Sequence, residues 1–182
     1  MNINCFIRVL QLGEIIAYPT ESVFGLGCDP DNKKAVYKLL SIKQRSVNKG
    51  LILVTGNYQQ LLKYINIDIL SIKQKQYILS TWPGMLTWTI PTSLYTPKWL
   101  TGQFQTIAVR VTNFYLIKQI CNAFGKPIIS TSANISGHKP CLTAKEVFDV
   151  FKTKIFIIKG NVGGYNPSEI KHSLTNQIIR KG

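Results

Sequence analysis

The chain has 182 residues, 45% of them apolar and 16% charged, a balance that excludes a disordered polymer and a coiled coil. Its 22 Lys and Arg stand against 8 Asp and Glu, a formal net charge of +14, which favours polyanionic partners such as nucleotides, RNA or acidic lipid headgroups; lysines that only solvate the surface would give the same count. At this length one domain spanning residues 1–182 is expected, folding away roughly 70% of the surface of the extended chain.

The predicted elements run as follows. Ile3, Phe6, Ile7 and Leu10 fall at i, i+3, i+4 and i+7, with Gly13 placed to stop a helix. Residues 14–18 read as a buried strand closed by Pro19. A helix is expected from Asn32 to about Ile42, with Ala35, Val36, Leu39 and Leu40 on one face and Asp31 or Asn32 as its cap. Residues 51–54 read as a strand, and Tyr58 to Leu79 as a helix in two pieces broken near Asn66. After the turn Trp82-Pro83-Gly84, residues 86–90 form a strand ended by Pro91, and 107–111 another. A helix from Phe114 to Phe124 ends at Gly125, a strand covers 127–130, and a helix covers 143–150 with Thr143 and Glu146 in capping-box spacing. Residues 155–158 and 177–179 supply the last strands. This alternation predicts an α/β fold around a twisted, mixed sheet.

Composition also limits the chemistry. With eight carboxylates and two histidines (His138, His172), neither a paired-carboxylate hydrolase nor a carboxylate-rich metal cage is expected. Cys5, Cys28, Cys121 and Cys141 lie far apart, without a zinc-ligand or disulfide pattern, and read as small buried hydrophobes in a reducing cytoplasm. Arg8 interrupts the short apolar N-terminus and no stretch reaches membrane-span length, so neither signal peptide nor anchor is expected. Walker, G-x-G-x-x-G and G-x-S-x-G patterns are all missing.

Four loops remain as candidates. Tyr18-Pro19-Thr20-Glu21-Ser22 follows a buried strand, where open α/β sheets place ligands; its hydroxyls would equally suit a turn. Lys43-Gln44-Arg45 ends a predicted helix, where cations suit the macrodipole or form a phosphate clamp. Arg110 lies inside a run that reads as an interior strand and needs an anion. A ligand carboxylate or phosphate is the favoured partner because protein carboxylates are few. Residues 130–137, Ser-Thr-Ser-Ala-Asn-Ile-Ser-Gly, offer hydroxyls, an amide and backbone N–H groups that can cradle phosphate.

In order and spacing the stretches YPTESVFGLGCDP (18–30), KQRSVNKGLIL (43–53), WPGMLTWTIP (82–91), TIAVRV (106–111), GKPIISTSANISG (125–137), NPSEI (166–170) and IIRKG (178–182) resemble the YrdC/TsaC family of threonylcarbamoyl-AMP synthases, in its short bacterial form. The resemblance implies a YrdC-like fold with a concave basic cavity, and a reaction of L-threonine, bicarbonate or CO2 and ATP giving threonylcarbamoyl-adenylate and pyrophosphate, the first step of threonylcarbamoyl-adenosine formation in tRNA. Mg2+ would arrive with ATP. Other proteins of the tRNA threonylcarbamoylation pathway would be partners, and tRNA or double-stranded RNA a further contact. By motif, Thr20, Arg110, Thr131 and Ser168 would bind threonine, Arg110 through its carboxylate. Lys43, Arg45, Ser132, Asn134, Ser136 and Arg180 would bind the nucleotide, Lys43 and Arg45 at the triphosphate. No residue is expected to act as a protein nucleophile. Two departures stand out: Ser46 replaces the usual proline after the K-x-R arginine, and no histidine comes shortly after Gly50-Leu51, where Leu53-Val54-Thr55 stand. A non-catalytic RNA-binding module is the rival reading, supported by the net charge.

Overall fold

Local chemistry sets the element boundaries in a computed structural model, which describes residues 3–182. Helix α1 (Ile3–Gln11) buries Ile7, Val9 and Leu10 and leads into strand β1 (Ile16–Pro19). Asn32 caps α2 (Lys33–Ile42), its Oδ1 accepting from the Ala35 N–H at 3.1 Å. Strand β3 (Ile52–Thr55) follows, and Ser71 with Gln74 makes a reciprocal capping box at α3 (Ile72–Ser80). After β4 (Leu86–Pro91), the one-turn α4 (Lys98–Thr101) precedes β5 (Thr106–Val111). Helix α5 (Tyr115–Phe124) stops at Gly125, whose left-handed φ of 79° lets its N–H reach back to Cys121. Strand β6 (Ile128–Ser132) leads to α6 (Ala144–Phe151), then β7 (Phe156–Ile157), β8 (Glu169–His172) and β9 (Ile178–Arg180).

Strand β2 (Phe24–Gly27) completes one nine-stranded sheet in the order β7-β1-β2-β6-β3-β5-β4-β8-β9. The β1–β7, β3–β5 and β4–β8 pairs are parallel and the rest antiparallel, so the sheet is mixed, as expected. Apolar side chains pack on both faces. On one, Ala17, Leu53, Ile129, Val109 and Trp88 join α2 and α6 in the larger core. On the other, Ile16, Tyr18, Val54 and Ile128 pack under α1 and α5.

Several expectations are corrected. Of the two helical pieces expected in residues 58–79, the second is α3, which starts only at Ile72, and two short 3-10 turns (Tyr58–Leu61 and Ile67–Ile69) stand before it; the apolar residues Leu61, Tyr64, Ile65 and Leu70 still reach the core. Strands β2 and β8 and helix α4 were not foreseen. At α6 Thr143 caps as predicted, but Glu146 accepts from the Leu142 N–H at 2.7 Å, one residue before the position a capping box requires. Cys28, Cys121 and Cys141 are buried and Cys5 is exposed; burial pushes the Cys121 thiol up to about 12. Among the described residues, no helix is long and apolar enough to cross a membrane.

Candidate active site

Helices α1 and α5 cover only part of their face of the sheet. Because side chains alternate along a strand, the register sets Gly25 opposite Tyr18 and Ser132, Ile52 opposite Ser130, and Val54 opposite Arg110, all on that same face. Beyond the two helices Gly25, Ile52, Val54, Arg110, Ser130 and Ser132, with Thr87 of β4, floor a cavity of about 300 Å³. Its rim carries Thr20, Ser22, Arg45, Thr131, Ser168 and Arg180.

Arg110 is 9% exposed, and its anion partner is a protein carboxylate, contrary to the preference for a ligand alone. Nη2 donates to Glu21 Oε1 in a very short ion pair, Nη1 lies 3.5 Å from Oε2, and Nε donates to the Gly84 carbonyl at 2.8 Å. The Thr112 hydroxyl donates to the same Glu21 oxygen, and Met85 Sδ lies 2.9 Å from Nη2. Thr20 keeps the neighbouring turn closed: its hydroxyl donates to Val23 O at 2.7 Å and accepts from the Ser22 N–H at 3.2 Å. The turn reading of that hydroxyl therefore holds alongside its place on the rim.

Lys43, Asn134 and Ser136 are not on the cavity wall. The Lys43 side chain is buried, and its Nζ donates to the carbonyls of Ser132 and Asn134, the latter at 2.8 Å. The Ser136 N–H returns to Lys43 O at 2.9 Å. Asn134 closes the loop from inside, Nδ2 donating to Ile135 O and His138 O while Oδ1 accepts from the Ser132 hydroxyl at 2.6 Å. These three residues thus shape the polar loop after β6, while Ser130, Thr131 and Ser132 of the strand itself, with Pro140 of the loop, reach the cavity. Burial, followed by the Arg45 charge, pushes the Lys43 ammonium down to about 8.

Arg45 does line the cavity. Its Nη2 donates to Gly50 O at 3.0 Å, its Nε is buried without a partner, and burial lowers its guanidinium below the ordinary range. Ser46 caps the 3-10 turn Val47–Lys49, its Oγ accepting from the Asn48 N–H at 3.2 Å. On the far wall Arg180 of β9 donates to Ser168 O at 2.6 Å, and Ser168 shares a 2.8 Å hydrogen bond with Thr87. Burial lowers Arg180 as well.

Three guanidinium groups and several hydroxyls therefore converge, and among the described lining residues none is acidic and none is His or Cys. Such a surface can hold anions and orient them; it does not assemble a nucleophile with its base. Thr87 and Thr112 were not foreseen at the site, and Glu21 was named only as a member of its loop, with no role of its own. For Thr87 the polar–apolar alternation of Leu86-Thr87-Trp88-Thr89 was a usable signal. Glu21 and Thr112 meet only through space, 91 positions apart.

The chain matches the family model Sua5_yciO_yrdC, described as Telomere recombination, over residues 8–182. It is 54% identical over 177 residues to proteins named threonylcarbamoyl-AMP synthase from Yersinia pestis (strain Pestoides F) and Yersinia pseudotuberculosis serotype O:1b, covering 97% of this chain and 93% of each relative. Among solved structures, P. abyssi Sua5 complexed with L-threonine superposes with a TM-score of 0.83 at 29% identity, over 93% of this chain and 50% of that one. E. coli YciO superposes with a TM-score of 0.86 over 99% of this chain and 88% of that one, its 22% identity speaking to fold alone. With a family match reaching from α1 to the last residue, and half of all positions shared with two full-length relatives, the chain belongs to the Sua5/YciO/YrdC family.

Proposed function

We infer that this protein is a threonylcarbamoyl-AMP synthase: it joins L-threonine, bicarbonate or CO2 and ATP into threonylcarbamoyl-adenylate and releases pyrophosphate. The observation that carries this reading is the 54% identity to synthases along 97% of the chain, met by a cavity whose chemistry suits the reaction. The threonine ammonium first gives up a proton to water, and the neutral amine then takes up CO2 and loses a second proton. A carbamate oxygen then attacks the α-phosphorus, and the bond to the β-phosphate oxygen breaks as pyrophosphate leaves. Two anionic partners must be brought together and aligned, so fixed cations and dipoles carry the rate.

In this scheme Arg110 seats the threonine carboxylate, with Thr20 and Thr131 beside it and Ser168 on the opposite wall. Arg45 holds the triphosphate with a free Nε still to satisfy, and Lys43 adds charge from below. Ser132 faces the junction of the two substrates, Asn134 and Ser136 keep its loop in shape, and Arg180 closes the nucleotide side. Mg2+ enters on ATP as part of that substrate, held by phosphate oxygens and water; among the described residues no three His, Cys, Asp or Glu gather to hold it. The product is consumed by enzymes that carry the threonylcarbamoyl group to tRNA, in the cytoplasm, and the charge of +14 favours transient tRNA contact.

Pyrophosphate release from ATP and bicarbonate, with and without L-threonine and with L-serine as control, tests the assignment. Release that needs threonine and falls sharply with serine is expected. No release from folded protein that still binds RNA would leave a binding module.

A further inference from the structure

Arg110 has one fork to offer, and Glu21 already sits on it. Because Nε donates to Gly84 O at 2.8 Å, a side-on approach through Nε and Nη2 is closed, leaving the Nη1/Nη2 edge. Glu21 takes that edge with both oxygens, and Thr112 adds a third tether. A substrate carboxylate bound bidentately to Arg110 needs the same donors, and two carboxylates on one guanidinium repel. Glu21 must therefore give way when such a ligand binds. Its side chain alone can do so, because its main chain is pinned: the Gly163 N–H donates to Thr20 O at 3.0 Å and the Tyr165 N–H to Glu21 O at 2.9 Å.

A displaced carboxylate that is only 13% exposed needs another cation. Among the described residues it is also the one carboxylate hydrogen-bonded to a side chain of the cavity wall. The described residues lining the cavity include no carboxylate. The other seven of the chain's eight are engaged elsewhere, in ion pairs such as Glu14–Lys38 and Lys126 with Asp29 and Asp31, or, for Glu146, on the Leu142 N–H. An α-amino acid brings the missing cation with it, one carbon away from the carboxylate that replaces Glu21.

We propose that Glu21 makes this site specific for zwitterionic α-amino acids, guarding Arg110 until a ligand offers both a carboxylate to replace it and an ammonium to receive it. The proposal rests on the reading of Arg110 as the seat of the threonine carboxylate. A plain hydroxy acid satisfies half of the exchange: it takes Arg110 and leaves Glu21 without a partner, so it binds poorly although it fits.

Calorimetric titration of L-threonine and of (R)-3-hydroxybutyrate, the same skeleton without its amino group, tests this on wild-type, Glu21→Gln, Glu21→Asp and Arg110→Ala proteins. The wild type should strongly prefer threonine. In Glu21→Gln the preference should shrink by about tenfold or more, with threonine weaker for want of a counter-charge and hydroxybutyrate tighter for want of a competitor. Glu21→Asp keeps the charge and should restore the preference. Equal weakening of both ligands in Glu21→Gln, or no gain for hydroxybutyrate, overturns the proposal. If Arg110→Ala binds threonine as well as wild type does, the carboxylate sits elsewhere and the underlying reading falls too. If Arg110→Ala loses threonine while Glu21→Gln keeps the wild-type ratio, only the role of Glu21 falls. Should Glu21→Gln not fold, methylammonium decides: at constant ionic strength it should raise hydroxybutyrate affinity for the wild type, and no rise overturns the proposal.

Discussion

Lys43 is an ammonium buried to 2% exposure among carbonyl oxygens of the loop after β6, and its position decides two pH effects of opposite sign. Its ordinary value of 10.5 applies to the unfolded chain, whereas burial and the nearby Arg45 bring it to about 8 in the folded protein. Between those limits the unfolded chain holds a proton that the folded one has lost. Lys43 therefore makes stability rise as pH climbs from about 8 toward 10.5, and below about 8 the cost of the buried charge is present in full. Activity should move the other way, because the neutral amine no longer adds to the positive field that Arg45 presents to the triphosphate. We predict that kcat/KM for ATP falls above about pH 8, approaching tenfold per pH unit, and that Lys43→Arg, which stays charged, removes this limb. Thermal melts on the same samples separate the effect from unfolding. An alkaline loss of activity that tracks a falling Tm in both proteins would show that Lys43 does not set it.

At the scale of elements, β2 is the strand on which the site's geometry most depends and the one least visible beforehand. Phe24-Gly25-Leu26-Gly27 has two glycines and a single aromatic, a composition that reads as a loop, yet all four residues are buried between β1 and β6. The glycines are there for space. A Cβ on Gly27 would stand 2.5 Å from the carbonyl oxygen of Ile129, a backbone atom that cannot swing aside, and one on Gly25 would press on Tyr18 and Thr20 at 3.1 Å. Gly27→Ala should cost about 1–3 kcal/mol, read as a lower urea midpoint with unchanged slope; an unchanged midpoint would mean that β2 and β6 can part without cost. Strands β3, β5 and β6 were legible because runs such as Leu51-Ile52-Leu53-Val54 are buried on both faces. Strand β8 was not, since Glu169-Ile170-Lys171-His172 is half-exposed along its length and offers no apolar run. The polar loops were legible as a set from residue type and spacing. That Lys43 points into the loop and Glu21 onto Arg110 was not, because each depends on a partner 89 or more positions away.

The whole molecule carries its surplus of positive charge over a surface whose few acids are already paired, and this orders its ligands by their sensitivity to salt. RNA meets the surface with many phosphates and releases many counterions on binding, so its affinity should drop by at least about tenfold between 50 and 200 mM salt. ATP presents one triphosphate to partly buried guanidiniums, where screening is weaker, and its KM should rise by only a fewfold. Threonine is a zwitterion with no net charge at neutral pH and exchanges with an ion pair that is itself nearly dry, Arg110 and Glu21 at 11% and 13% side-chain exposure; its KM should scarcely move. Filter binding of a duplex RNA and initial rates of pyrophosphate release, across one salt series, give all three slopes. A threonine KM that climbs as steeply as the RNA affinity falls would mean that the amino acid is captured by the long-range field of the surface, and that the Arg110 pocket is not where its binding energy is made.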